Sequence, residues 1–108
     1  MTLTQYYTLL CTCPDQATAE NLAKILLDKK VAACINLVPQ VTSLYVWEGE
    51  LHKQDEVMML IKTTRVQVQA AQMLILEHHP YEVPEIIALA IESGSKPYLD
   101  WIDTVVAG

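Results

Sequence analysis

Two extended segments, VAACINLVPQVTSLYVW (residues 31–47) and ELHKQDEVMMLIKT (residues 50–63), meet at Glu48–Gly49. Gly49 takes the positive φ that a tight turn needs, so the two segments read as one long hairpin. Each arm can run for about a dozen residues, roughly 40 Å at 3.3 Å per residue. A domain of this length has a radius of gyration of only about 13 Å. The tip therefore projects beyond its own core, unless bulges near Pro39 and in KQDE curl it back. It carries SLYVWEGEL, and Leu44, Tyr45, Val46 and Trp47 are poor choices for a solvated edge. Strand addition between copies, giving a closed homo-oligomer, is the simplest way to bury them.

The segments around the hairpin form two similar halves. LTQYYTLLCTC is an apolar, β-rich strand broken by Pro14–Asp15, with Asp15 placed to cap a helix. In DQATAENLAKILLDKK the residues Ala19, Leu22, Ala23 and Leu26 recur at helical spacing. Lys29–Lys30 sit where the helix dipole favours cations. After the hairpin, Thr63 or Thr64 caps a second helix, RVQVQAAQMLILEHH, with Val66, Ala70, Met73 and Leu74 on one face. Pro80 disfavours helical geometry at His79, so that helix stops there. A last strand, EIIALAI, is followed by Ser95 and Pro97, which open a short helix striped by Tyr98, Trp101, Ile102 and Val105.

The order β-α-β-β-α-β plus a closing helix is that of an α+β, ferredoxin-like split βαβ sandwich. It occupies residues 1–108 as a single domain, with a long central hairpin and an extra C-terminal helix. YYTLLCTC and VMMLI are near-continuous apolar runs, as central strands are. The second and fourth strands carry the prolines, as edges do.

Composition excludes several functions. A net charge of −6 argues against a phosphate-backbone ligand, so no nucleic-acid partner is expected. No apolar run approaches a bilayer span, so no membrane partner is expected either. MTLTQYYTLLCTC lacks the cationic start and cleavage site of a signal peptide. Three cysteines cannot all pair within one chain, and Cys11 and Cys13 share a strand face, an awkward geometry for a bond between them. A reduced, cytoplasmic protein is expected.

AACINLVPQVTSLYVWEGEL, MMLIKTT, HHPYEVPEI and YLDWI stand here in an order and spacing that resemble the CutA divalent-cation-tolerance family. The resemblance covers nearly the whole chain. It implies a cytosolic homotrimer of ferredoxin-like subunits, akin in architecture to PII signalling proteins, whose long hairpins help knit three sheets together. It implies a function in tolerance to copper and other divalent metals, with metal ligands at Cys11, His78 and His79. Cys13 stands where relatives often carry a small residue, and would add a second thiolate or none.

The resemblance implies copper, with zinc or another divalent transition metal as the alternatives; by its chemistry a thiolate with two imidazoles suits Cu(I), zinc or Cu(II), softness favouring the first two. Geometry restricts it. Adjacent residues point about 100° apart on a helix, so both histidines meet one ion only if the helix has unwound by Pro80 or if subunits share the site. A non-metal role is also open, because imidazolium at a helix C-terminus favours the dipole. Cys11 on a central strand has the burial expected of a small hydrophobe. Lys62 and Glu56 read as solvated strand ends, His52 as a surface residue, and Trp47 and Trp101 as packing anchors. Lys62, Tyr81 and Glu85 are placed to line the mouth of an intersubunit cleft, which supports the alternative of a PII-like regulatory or scaffolding trimer. An enzyme is not expected: Cys11 or Cys34 with His79 is the one nucleophile–base combination, and no local signature surrounds it.

Overall fold

The computed structural model describes residues 4–108, and Leu3 at the start of the expected first strand lies outside them. Four strands and three helices follow in the expected order: β1 (Tyr6–Cys13), α1 (Gln16–Asp28), β2 (Cys34–Trp47), β3 (Glu50–Thr64), α2 (Val68–His78), β4 (Ile86–Ala90) and α3 (Lys96–Val105). The sheet order is β2-β3-β1-β4, entirely antiparallel, so the two apolar runs do occupy the centre.

The register assigns the faces. Leu9, Cys11 and Cys13 stand opposite Ile61, Met59 and Val57. All six are buried and pack with Ala19, Leu22 and Leu26 of α1 and Ala71 and Ile75 of α2. The alternate residues, including Leu10, Thr12, Glu56 and Leu60, point to the other face of the sheet.

Local chemistry sets the helix ends. Asp15 caps α1 by accepting from the Thr18 backbone N–H at 2.7 Å. The other end closes in a Schellman motif: Val31 N–H donates to Leu26 C=O and Lys30 N–H to Leu27 C=O. Lys30 there has φ 59°, a left-handed conformation that costs a β-carbon-bearing residue about 1–2 kcal/mol. Lys30→Gly is therefore expected to raise stability by about 1 kcal/mol, read as a higher urea midpoint at unchanged slope. Neither threonine caps α2. Thr63 is fully buried and donates to Val31 C=O at 2.6 Å, and the helix starts instead through a 3-10 turn at Arg65–Gln67. Its end falls at His78, with His79 already extended ahead of Pro80.

Glu48 (φ 52°) and Gly49 (φ 79°) form the two-residue turn of the hairpin. Pro39 and Gln40 stand opposite Val57 alone, a bulge that leaves Pro39 free of donor duty. No second bulge occurs in KQDE, where the register runs unbroken from Val41↔Glu56 to the turn. The hairpin is not curled back. The molecule measures 43 × 30 × 22 Å, and Leu44, Val46 and Leu51 at the tip are 65%, 69% and 74% exposed.

The C-terminal helix differs from its expected stripe. Ile102 is buried, with Leu99, Val105 and Val106 around it. Tyr98 and Trp101 stay largely exposed and pack on each other, ring centroids 5.6 Å apart.

Candidate metal centre

The inner end of β1 gathers the chemistry. Cys11 and Cys13 project from one face of the strand, and His79 reaches that end from the last turn of α2. One ligand atom from each lies within 4.8 Å of the others. Two metal–sulfur bonds of about 2.3 Å span nearly the same distance, so a thiolate–thiolate–imidazole set of this size fits a transition-metal ion. Cys11 and Cys13 are fully buried and His79 is 8% exposed.

The His79 ring is held at both nitrogens. Nε2–H donates to the Thr12 C=O at 2.8 Å, and Nδ1 accepts from the Tyr81 N–H at 3.1 Å. The β1–β4 register ends at Cys11, one residue before Thr12, so the imidazole serves a carbonyl that β4 does not reach. To bind an ion Nδ1 must give up the Tyr81 N–H, while the Nε2–H bond to Thr12 stays in place. That bond supplies the backbone support that metal-ligating histidines use to fix their tautomer.

The two thiols are unequal. The hydrogen bond between them, followed by burial, pushes Cys11 above the usual thiol range. The same hydrogen bond holds Cys13 below it.

His78 stands outside this cluster. It is the last helical residue, while His79 has turned to extended geometry (φ −77°, ψ 139°). The turn separates the two rings: His79 goes inward, and the His78 imidazole remains 39% exposed, 3.9 Å from the Glu77 carboxylate. Of the three expected ligands, Cys11 and His79 are brought together and His78 is not.

A cleft of about 720 Å³ opens on the other side of β1, between the hairpin and the Pro80–Glu85 loop. Tyr81, Glu85, Glu56, Tyr45 and Trp47 line it. Lys62 does not: it lies six residues along β3 from Glu56, roughly 20 Å at strand spacing, and its amine bonds Asn36. Glu56 is buried at 6% exposure rather than solvated, because the Tyr81 hydroxyl donates to its Oε2 at 2.7 Å. Desolvation, with the Glu56 carboxylate beside it, raises the Tyr81 phenol. The Tyr81 ring also packs on His79, centroids 4.7 Å apart, which links cleft and cluster. Tyr81→Phe strips a buried carboxylate of its donor and is expected to cost about 1–3 kcal/mol in chemical denaturation. The burial of Glu56 had no local signal, since its partner lies 25 residues away.

Cys34, the third free cysteine, is half-buried opposite Lys62 on β2, at the far end of the sheet from His79. His52 is half-buried and stacks on Tyr45, centroids 5.3 Å apart.

Residues 7–105 match the family model described as CutA1 divalent ion tolerance protein. The divalent-cation tolerance protein CutA of Yersinia pestis (strain Pestoides F) is 46% identical over 95 residues, which cover 88% of this chain and 80% of the relative. Protein CutA of Mus musculus is 45% identical over 94 residues, 87% of this chain and 53% of the mouse protein. The chain thus spans about half the length of that relative. Among solved structures, CutA1 from Shewanella sp. SIB1 matches with a TM-score of 0.94 at 36% identity, over 99% of this chain and all of the other. CutA1 from Oryza sativa matches with a TM-score of 0.93 at 33% identity, over 99% of this chain and 98% of that one.

Proposed function

We propose, from the premise that the chain belongs to the CutA1 divalent ion tolerance family, that it is a metal-tolerance protein acting by binding a transition-metal ion at the inner end of β1. The observation that carries this is the convergence of Cys11, Cys13 and His79 within 4.8 Å at a buried position. Cys11 and His79 are the ligands, copper is the preferred ion, and zinc is the next candidate for a thiolate–imidazole pair. The Cys11 thiolate and the His79 imidazole would hold the ion, with Thr12 orienting the imidazole and the buried position excluding water.

The role is one of binding, not catalysis. Cys11, pushed above its usual range, is the opposite of an activated nucleophile, and Cys13, although held below that range, is fully enclosed in the core where no substrate reaches it. The functional unit is a homotrimer in which the projecting hairpins cover one another, a reading supported by the exposed Leu44, Val46 and Leu51. It works in the cytoplasm, where three free cysteines remain reduced. Among the described residues no helix is long and apolar enough to cross a membrane.

Growth of a deletion strain on graded copper, zinc and cobalt tests the function. The wild-type gene is expected to restore growth and Cys11→Ala to fail at equal protein level. Equal rescue by both would remove the metal site from the account of tolerance.

A further inference from the structure

We infer that Cys13 and Met59 complete the site, giving four donors whose softness selects monovalent copper over a divalent ion. The inference rests on the metal reading above and adds to it two ligands and an oxidation state.

Met59 is fully buried and stands directly opposite Cys11 on β3. Its side chain crosses diagonally to Cys13, whose Sγ donates to Sδ at 3.5 Å. The thioether therefore lies against the cluster formed by Cys11, Cys13 and His79. Cys11, Cys13 and His79 offer ligand atoms within 4.8 Å of one another, and the Met59 thioether stands 3.5 Å from the Cys13 sulfur, each residue at most 8% exposed. Hard divalent ions want carboxylate and water oxygens. The nearest buried carboxylate, Glu56, points to the opposite face of the sheet and is engaged with Tyr81. Zinc accepts thiolate and imidazole but gains little from a thioether, whereas thiolate and thioether together are the donors that select Cu(I). Met59 is packed among apolar core residues, and its sulfur is the atom that meets Cys13.

In binding, each ligating cysteine loses its thiol proton to solvent and forms a sulfur–copper bond in place of the S–H bond. Copper enters and stays as Cu(I), so no oxidant or reductant takes part.

The test is an anaerobic competition titration of the reduced full-length protein against a chromogenic Cu(I) chelator, with a parallel Zn(II) titration. Wild type is compared with Cys13→Ala and Met59→Leu, and circular dichroism checks that each variant folds. Met59→Leu conserves volume and removes only the sulfur. One Cu(I) per chain is expected, with X-ray absorption showing a sulfur-dominated first shell. Cys13→Ala and Met59→Leu are each expected to weaken Cu(I) by at least roughly tenfold, the scale at which even outer-sphere partners cost affinity. Met59→Leu is expected to leave Zn(II) unchanged. Cu(I) affinity equal to wild type in both variants overturns the inference and leaves the Cys11–His79 reading standing. Failure of the wild type to bind either ion overturns both.

Discussion

The wild type is expected to elute at three times the 12.1 kDa mass of a single chain, and a variant carrying Leu44→Asp and Val46→Asp at the mass of one. Leu44, Val46 and Leu51 share one hairpin face, with Val46 directly opposite Leu51. All three are more than 60% exposed in the isolated chain, and they lie beyond the helices that cover the rest of that side. Two charges there leave the subunit's own core untouched but cannot be buried against a neighbour without a partner. The subunit should therefore fold and fail to assemble. Loss of the assembly should also lower the thermal midpoint by well over the roughly 4–8 °C that 1 kcal/mol is worth in a chain of this size. Light scattering after size exclusion reads the first effect and a thermal scan the second. A wild type that is already monomeric at micromolar concentration would refute the assembly.

His79→Ala is expected to be the most costly single change near the candidate site, while His78→Ala is nearly silent in stability. Removing the His79 ring leaves the Tyr81 N–H without its partner and the Thr12 carbonyl with only the long 3.8 Å bond from Cys11 Sγ, and opens a void beside the Tyr81 ring. One unpaired buried group costs about 1–3 kcal/mol, so this loss, with a weakened second bond and a void, reaches the top of the roughly 0.5–3 kcal/mol that ordinary substitutions cost. His78 makes only a 3.9 Å contact with an exposed glutamate, so its removal should fall within about 0.5 kcal/mol of wild type. Urea unfolding of the two variants side by side measures the difference. Equal midpoints would mean that the imidazole hydrogen bonds do not bear on the fold.

Much of this architecture was legible because it follows from short-range chemistry. Continuous apolar runs put β1 and β3 at the centre, Asp15 capped α1, Pro80 ended α2, and Pro39 marked a bulge. Each of these depends on a residue and its near neighbours. What local pattern could not supply was pairing across the fold. Glu56 looked like a strand end open to water until the Pro80–Glu85 loop brought Tyr81 onto it. Thr63 looked like a cap, but Val31 lies within reach of its hydroxyl in three dimensions. Tyr98 and Trp101 fit a helical stripe, yet the sheet offers that helix room for little beyond Ile102 and its neighbours.

The candidate site was legible in the same measure. Resemblance pointed to Cys11 and the histidine pair, and strand alternation placed Cys13 on the same face as Cys11. Sequence reasoning held that both histidines could serve one ion only if the helix had unwound by Pro80 or if subunits shared the site. It unwinds at one of them, which separates the pair. Met59 gave no signal, because a methionine inside VMMLI reads as core until its sulfur is located against Cys13.

The central claim is that Cys11 and His79 bind a transition-metal ion and that His78 does not. A chelator-competition titration of the reduced protein with Cu(I) and Zn(II), run on wild type, His78→Ala and His79→Ala, tests it most directly. The account predicts one tightly bound ion per chain in wild type and His78→Ala, and loss of that ion in a His79→Ala protein shown to be folded. Weak binding of equal strength in all three proteins would contradict it.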